Sequence, residues 1–218
     1  PELSDCEDRN DPLANRIRKN YRHIRKWAKR STSDAFRIYD RDIPAFPVAI
    51  DFYSGRICVQ YYSKRKGEEA EDSFISSANA SIESVFGSSL KDIVWKHRIR
   101  RERTEQYEKI DQRKEFFVAS ENGIPFRINI TDYLDNGLFL DHRVTREMIM
   151  SKSAGSRVLN LFSYTSSFSV YAARGGARET LSVDMSNTYT AWSRENLSLN
   201  GFSEPAHRVL REDCIKFL

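Results

Sequence analysis

The clearest structural signal in the chain is the stretch Asn160-Leu161-Phe162-Ser163-Tyr164-Thr165-Ser166-Ser167-Phe168. An apolar run over 158–162 stops at small hydroxyl residues, and a helical pattern of apolar residues begins directly after them. This order predicts a strand, a tight loop and the N-terminus of a helix. Two further strands are expected at 179–183 and 207–210, and the acids Asp184 and Asp213 follow them. The pattern indicates a parallel α/β sheet with carboxylates along its carboxyl edge.

Acids at the ends of neighbouring parallel strands are typical of a nucleotide site. A carboxylate after the second strand is where open α/β sheets bind ribose hydroxyls, and N–H groups at the start of the first helix bind small anions. The loop over 162–167 contains no glycine, whereas the dinucleotide fingerprint needs Gly-x-Gly-x-x-Gly to approach a pyrophosphate. S-adenosylmethionine has no pyrophosphate, so the sequence favours it over NAD. The alternative is an α/β domain with a Ser/Thr-rich turn and no cofactor.

Size and composition limit the number of domains and the class of protein. The chain has 218 residues, of which 39% are hydrophobic and 30% charged, enough for one large domain or two small ones. The scattered, odd set Cys6, Cys58 and Cys214 predicts a reducing compartment, and we expect the cytoplasm. The histidines are dispersed, so no metal site is predicted. No apolar run is long enough to cross a membrane, and the acidic start is not a signal peptide.

Positive charge is concentrated in two segments. Residues 13–30 contain eight Lys or Arg and no acid, in a helix whose start Asp11 and Pro12 predict. Residues 96–103, in a predicted loop, contain five Lys or Arg among eight. Solvated charged faces are the plain alternative, but uncompensated charge on one segment favours a polyanionic partner. The side chains predicted to contact RNA are Arg16, Arg18, Lys19, Arg22, Arg25, Lys26, Arg98, Arg100 and Arg101.

Between the two ends of the chain, short elements indicate a small mixed α/β region. Strands are predicted at 36–39, 48–51, 56–61 and 93–96, a helix at 70–86, and a hairpin around Asn122 and Gly123. We therefore predict an α/β fold in three segments. A basic helix covers 1–31, and a small mixed RNA-binding or substrate domain covers 32–131. The first part, about three strands, of a Rossmann-like sheet that binds S-adenosylmethionine covers 132–218.

Several longer motifs resemble one family of RNA-modifying enzymes. They are residues 129–143 and 160–165, with further matching runs at 14–20, 175–178, 183–186 and 195–201. The chain is similar to bacterial 23S ribosomal RNA methyltransferases, specifically the C-terminal, guanine-N7-methylating half of the fused bifunctional enzyme. The similarity runs from about Leu13 to the last residue. Cytosine-C5-methylating relatives share some of these motifs, but the N-terminal helix and Asp141-His142-Arg143 are closer to the guanine-N7 branch.

The resemblance implies roles for individual residues. Asp184 would accept hydrogen bonds from both ribose hydroxyls, with Met185 against the adenine. Asp213 would bind the exocyclic amine of the adenine, with Cys214 beside it. A third group would shape the methionine end of the pocket: Asn160, Phe162, Ser163, Tyr164 and Thr165. The preceding segment would close the pocket through Phe139, Asp141 and Arg143, although a structural ion pair at a helix start is the alternative for the last two.

Two features depart from the family pattern. Ser166 stands where the family usually has glycine, which adopts positive φ at little cost, so we expect weaker cofactor binding or a reshaped loop. The chain also stops after the third strand of a sheet that normally has seven. We therefore expect a fragment that transfers no methyl group by itself, from a protein that methylates 23S ribosomal RNA at guanine N7. The alternatives are a cytosine-C5 enzyme and an RNA-binding module without catalysis.

Overall fold

Two separately packed units make up the chain, and the division falls between residues 110 and 111. The computed structural model describes residues 10–62 and 70–98 of the first unit and 113–218 of the second. Across these ranges, no helix combines the length and the apolar character needed to cross a membrane.

The first unit is a four-stranded sheet with two helices. Helix α1 (Pro12–Arg30) precedes β1 (Ala35–Asp40), β2 (Val48–Tyr53) and β3 (Arg56–Tyr61), and α2 (Asp72–Phe86) leads to β4 (Asp92–His97). The strands lie in the order β1-β2-β3-β4. The first three are antiparallel, and β4 pairs parallel to β3 because α2 crosses over between them.

Helix α1 begins and packs as the sequence predicts. The Asp11 side chain accepts a 2.8 Å hydrogen bond from the N–H of Ala14, and Pro12 occupies the first turn. Its apolar stripe, with Leu13, Ile17 and Tyr21 buried, forms one core with the inner side chains of the sheet and α2. The helix is therefore an integral layer of the first unit.

The second unit opens with a hairpin of β5 (Phe117–Glu121) and β6 (Ile124–Ile128). Asn122 and Gly123 at its turn have φ of +54° and +68°, as a two-residue hairpin turn requires. The remaining elements are α3 (Arg143–Lys152), β7 (Arg157–Leu161), α4 (Ser167–Arg174), β8 (Glu179–Asp184), α5 (Asn187–Leu199), β9 (His207–Arg211) and α6 (Cys214–Phe217).

Strands β7, β8 and β9 form a parallel sheet in that order, with helices in the connections. This confirms the predicted class, a small mixed α/β region followed by about three strands of a Rossmann-like sheet. The carboxyl ends of the three strands meet at one edge, where the predicted cofactor residues follow.

The units divide the chain differently from the three predicted segments. Helix α1 shares its core with the β1–β4 sheet, so 1–31 is not a separate domain. The hairpin, placed with the middle region by sequence, packs on α5 instead: the N–H of Arg127 donates to Asn196 Oδ1 (2.9 Å), and Trp192 Nε1 donates to the Arg127 carbonyl (3.0 Å). Periodicity defines each element but does not specify the core that the element joins.

Candidate cofactor site

The loop between β7 and α4 has an unusual backbone. Phe162, Tyr164 and Ser166 have φ of +53°, +51° and +60°, a left-handed conformation that non-glycine residues adopt rarely. Ser166 is thus in the conformation that favours glycine, directly before α4. Its hydroxyl donates a 2.8 Å hydrogen bond to Ser193 Oγ on α5, and this bond helps to hold the residue there.

Asp184 lies at the carboxyl tip of β8, next to this loop. Its Oδ2 accepts a 2.9 Å hydrogen bond from the N–H of Tyr164, and its Oδ1 accepts one of 2.9 Å from the N–H of Ser186. A carboxylate offers about four acceptor positions, so these two backbone bonds orient the group and leave acceptor capacity. The structure therefore brings the predicted ribose acceptor and the predicted loop together.

Ser163 provides an independent sign of a ligand at this edge. Among the described residues, its buried Oγ has no hydrogen-bond partner, although its N–H donates to the Val183 carbonyl at 3.0 Å. A buried hydroxyl without a partner costs about 1–3 kcal/mol, which a ligand's polar group would recover. Phe162 and Met185, at the tips of β7 and β8, are 67% and 60% exposed and offer apolar surface at the same edge. This combination fits a ligand with polar and aromatic parts.

The segment before α3 is fastened to the loop. Tyr164 OH accepts from the N–H of Gly137 at 2.8 Å, and Thr165 Oγ1 donates to the Gly137 carbonyl at 2.6 Å. The ring of Phe139 lies 5.0 Å from that of Tyr164, and Phe139 is 41% exposed. Phe139 therefore forms a wall beside the loop. Asp141 is exposed and Arg143 half-buried at the start of α3.

An ion pair that the sequence analysis missed supports this wall. Arg146 on α3 is completely buried and donates two 2.8 Å hydrogen bonds to the carboxylate of Glu121 on β5. Its Nη2 also donates to the Phe139 carbonyl at 2.8 Å, and Tyr171 OH donates to Glu121 Oε1 at 2.7 Å. Burial and the Glu121 charge raise the pKa of Tyr171 far above its usual value, so it acts as a hydrogen-bond donor. Nothing in the periodicity of α3 marks Arg146 as buried.

The other predicted cofactor residues are partly engaged within the protein. Asp213 Oδ1 caps α6 by accepting from the N–H of Ile215 at 2.8 Å and from that of Lys216 at 3.4 Å. Asn160 donates to Ser169 Oγ on α4 at 3.0 Å. The buried sulfur of Cys214 accepts from the N–H of Phe162 at 3.1 Å, so it joins the ends of β7 and β9.

The predicted RNA-contacting residues separate into several groups. Lys19, Arg22, Arg25 and Lys26 are exposed on α1, and Arg16 lies 3.9 Å from Asp42. The sequence predicts that Arg18 contacts RNA, but the residue is only 2% exposed, because positions 14, 17, 18 and 21 form the buried stripe of the helix. Arg98 donates to Gln60 Oε1 at 2.8 Å. Arg100 and Arg101 lie outside the described residues.

Parallel strands with a carboxylate at the tip of β8, after a strand–loop–helix unit, define an α/β protein of the class that binds nucleotide cofactors. Comparison with known families makes this specific. The chain belongs to the S-adenosylmethionine-dependent methyltransferase family, whose pattern matches residues 44–216. The cofactor of this family is S-adenosylmethionine.

The relatives are named as ribosomal RNA methyltransferases. The chain is 46% identical over 210 residues to the ribosomal RNA large subunit methyltransferase K of Neisseria meningitidis, covering 95% of this chain and 59% of that protein. It is 44% identical over 220 residues to the ribosomal RNA large subunit methyltransferase K/L of Shewanella sp. strain ANA-3, covering 100% of this chain. The chain spans 31% of that protein's length.

A solved structure has a similar fold. It is a candidate methyltransferase complexed with SAH, with a TM-score of 0.74 and 25% sequence identity. The match covers 96% of this chain and 55% of that one. The likeness thus extends over both units of the chain.

Proposed function

We propose that the full-length protein methylates 23S ribosomal RNA at N7 of a guanine, with S-adenosylmethionine as methyl donor. The observation that carries the cofactor part of the proposal is the edge formed by Asp184 and Ser163, which combines an oriented carboxylate with a buried unpaired hydroxyl. The names of relatives 44–46% identical supply the class of substrate.

In this proposal the described residues bind and orient the cofactor. Asp184 accepts hydrogen bonds from both ribose hydroxyls with its remaining acceptor positions, and Met185 covers the adenine. Asp213 accepts a hydrogen bond from the exocyclic amine of the adenine, and it also caps α6. Ser163 hydrogen-bonds the methionine moiety between the walls that Phe139 and Phe162 provide. The bound cofactor supplies an electrophilic methyl group on its sulfonium.

Guanine N7 is favoured as the acceptor by its chemistry and by the resemblance of the chain's motifs to the guanine-N7 branch. N7 has a free lone pair, so attack on the methyl group needs alignment but no proton removal. A cytosine-C5 enzyme needs a cysteine nucleophile instead. Cys58 and Cys214, the two thiols within the described ranges, are both buried. Cys214 is also engaged by the N–H of Phe162, which argues against its acting as that nucleophile.

The exposed cations of α1 are proposed to contact RNA phosphates. Helix α1 carries no acid, so its exposed Lys and Arg have no counter-charge within the helix. Lys19, Arg22, Arg25 and Lys26 are exposed on the helix, whereas Arg18 is buried and is therefore not among the proposed RNA contacts. Such contacts release counterions and make affinity fall steeply with salt. A protein acting on ribosomal RNA in bacteria would work in the cytoplasm, consistent with its scattered cysteines.

The test is methylation of 23S RNA by the full-length gene product. We expect tritium from labelled S-adenosylmethionine to enter protein-free 23S RNA, and borohydride followed by aniline to cleave the product chain, since that chemistry is specific to N7-methylguanine. Asp184→Asn should abolish or strongly reduce incorporation. Incorporation without aniline cleavage would contradict the N7 assignment and favour cytosine C5. Failure of the folded protein to bind S-adenosylmethionine would overturn the proposal as a whole.

A further inference from the structure

A basic groove crosses the first unit, remote in sequence from every cofactor residue. It has a volume of about 670 Å³ and lies between the C-terminal half of α1, the β2–β3 turn and the segment that leads into β4. We define the basic groove by its cations, Arg25, Lys26, Lys29 and Lys91. The sequence analysis predicted a basic helix but neither this concave surface nor the part that Lys91 plays in it.

The charge of the basic groove is strongly one-sided. Four cations line it, three of them from two successive turns of α1, and Asp34 is the one carboxylate among its described lining residues. The lining cations are all exposed. Cations that converge on a concave surface from different elements raise the local potential for anions more than cations dispersed over a convex face. A phosphate-bearing ligand is therefore favoured over an uncharged one.

A backbone hydrogen bond and a close approach to Gly55 fix the position of Lys91. Its N–H donates a 2.8 Å hydrogen bond to the carbonyl of Gly55 in the β2–β3 turn. Gly55 has φ of +88°, and a Cβ at this position would come within 3.3 Å of Lys91 Cε. The lysine stem thus lies across the glycine, where a larger residue would displace it. Lys91 is thereby held beside the turn as one of the residues that line the groove.

The floor of the basic groove is apolar. Tyr21, Phe36 and Phe52 line it, and each is 4% exposed. The rings of Phe36 and Phe52 stack with centroids 5.1 Å apart, and Tyr21 lies 6.2 Å from Phe36. The hydroxyl residues Ser33, Ser54 and Ser89 border this floor. A rim of cations and hydroxyls around an apolar floor matches the phosphate, ribose and base of a nucleotide.

We propose that the basic groove binds an unpaired nucleotide of the RNA substrate, with its phosphates on the cationic rim and its base over the apolar floor. The inference rests on the proposed function for the identity of the RNA. A volume within the usual range of small-ligand pockets admits one or two nucleotides but not a duplex. Proteins recognise single-stranded RNA by such combinations of backbone charge and splayed-out bases.

The test compares variants that change net charge equally. Lys29→Glu with Lys91→Glu alters the groove, and Arg174→Glu with Arg178→Glu alters exposed cations of the second unit. Affinity is measured by fluorescence anisotropy with a labelled twelve-nucleotide single strand and with its duplex, from low to moderate salt. Lys29→Met with Lys91→Met removes the charges while retaining the stems, and circular dichroism reports folding.

We expect the groove variant with two Glu to lose about ten-fold or more in affinity for the single strand. Its salt slope should be less steep by about 1.4, since each single-strand phosphate contact contributes about 0.7. The Met variant should lie between it and the unaltered protein, while the duplex should be affected less. Equal single-strand affinity for the groove and control variants would overturn the inference. So would AMP binding the groove more tightly than the RNA, since that would indicate a free nucleotide.

Cofactor binding by the same protein variants distinguishes the groove proposal from the proposed function. S-adenosylmethionine affinity, measured by calorimetry, should be unchanged in the groove variants. Loss of single-strand binding together with normal cofactor affinity supports the groove. Normal RNA binding by the groove variants, with methylation that still depends on Asp184, would reject the groove while sustaining the proposed function.

Discussion

Asp184 and Tyr164 are joined by a 2.9 Å hydrogen bond from the backbone N–H of Tyr164 to Oδ2 of the carboxylate. This bond links the tip of β8 to the loop after β7, and the N–H of Ser186 fixes the other carboxylate oxygen. The side chain therefore has a set orientation without a ligand. An acceptor oriented in advance loses little conformational freedom on binding, which favours affinity.

Asp184→Asn should weaken binding of S-adenosylmethionine by about ten-fold or more. The substitution retains the shape but removes the charge, and hydrogen bonds to charged groups contribute roughly 1.5–3 kcal/mol each. Isothermal calorimetry measures the change. The matched control is Glu179→Gln, which neutralises a partly exposed acid at the opposite end of the same strand. Equal S-adenosylmethionine affinities for the two variants would show that Asp184 does not bind the ribose.

Ser163→Ala should separate cofactor affinity from stability. The Ser163 hydroxyl is buried without a partner in the described structure, so its removal should leave the free energy of unfolding unchanged or raise it. Loss of a hydrogen bond to the cofactor should reduce S-adenosylmethionine affinity by roughly 2- to 13-fold, from about 0.5–1.5 kcal/mol. Urea unfolding and calorimetry give the two quantities.

Ser193→Ala is the contrasting control. Its hydroxyl donates to the Tyr164 carbonyl at 2.8 Å, so this variant should lose roughly 1 kcal/mol of stability. If Ser163→Ala loses as much stability as Ser193→Ala while binding the cofactor normally, then Ser163 has a structural role only.

The strand–loop–helix unit and its acid were predictable because each leaves a local pattern. The apolar run over 158–162, the hydroxyl residues after it and Asp184 at the next strand end are all visible in the sequence. Parallel pairing then brings the strand ends to one edge without further information. The left-handed φ at Ser166 was not predictable, because serine adopts it only where contacts such as that with Ser193 hold it.

Arg18 and Arg146 show where residue type alone misleads about burial. Both are charged residues on helices, and charge favours exposure. Yet Arg18 follows Ala14 by four residues and precedes Tyr21 by three, so the helical period places it on the buried stripe. Arg146 is buried because Glu121, 25 residues away, supplies its counter-charge. A pairing across that separation depends on tertiary contacts, so one sequence does not reveal it.

Glu121→Gln should destabilise the second unit by about 3–5 kcal/mol. Arg146 would remain buried without its counter-charge, and a lone buried charge is costly. Urea unfolding, followed by Trp192 fluorescence in a Trp27→Phe, Trp95→Phe background, reports on this unit. Glu179→Gln breaks the solvent-accessible ion pair with Arg157, in which the Glu179 side chain is 47% exposed and the Arg157 side chain 72%. This substitution should cost at most about 1 kcal/mol. Similar losses for the two variants would contradict the buried pair's importance.

Asp132 should make the second unit sensitive to acid. Its buried carboxylate accepts hydrogen bonds from the N–H groups of Arg113 and Lys114 and from the side chains of Asn129 and Thr131, at 2.8–3.1 Å. Burial alone would raise the pKa of Asp132, but these four hydrogen bonds outweigh burial and lower it. A lowered folded-state pKa gives stability that is fully present above the unfolded pKa of about 3.9 and is lost as pH falls through the folded value.

The free energy of unfolding of the unaltered protein should therefore fall as pH drops below about 4, and Asp132→Asn should flatten that dependence while lowering stability at neutral pH. Asparagine retains one acceptor oxygen, but its amide opposes the donors that converge on the carboxylate. Urea titrations from pH 3 to 7 measure both effects. Glu204→Gln, an exposed acid of the same unit, is the control and should retain the unaltered pH profile. If Asp132→Asn also retains that profile, these hydrogen bonds do not stabilise the charged carboxylate.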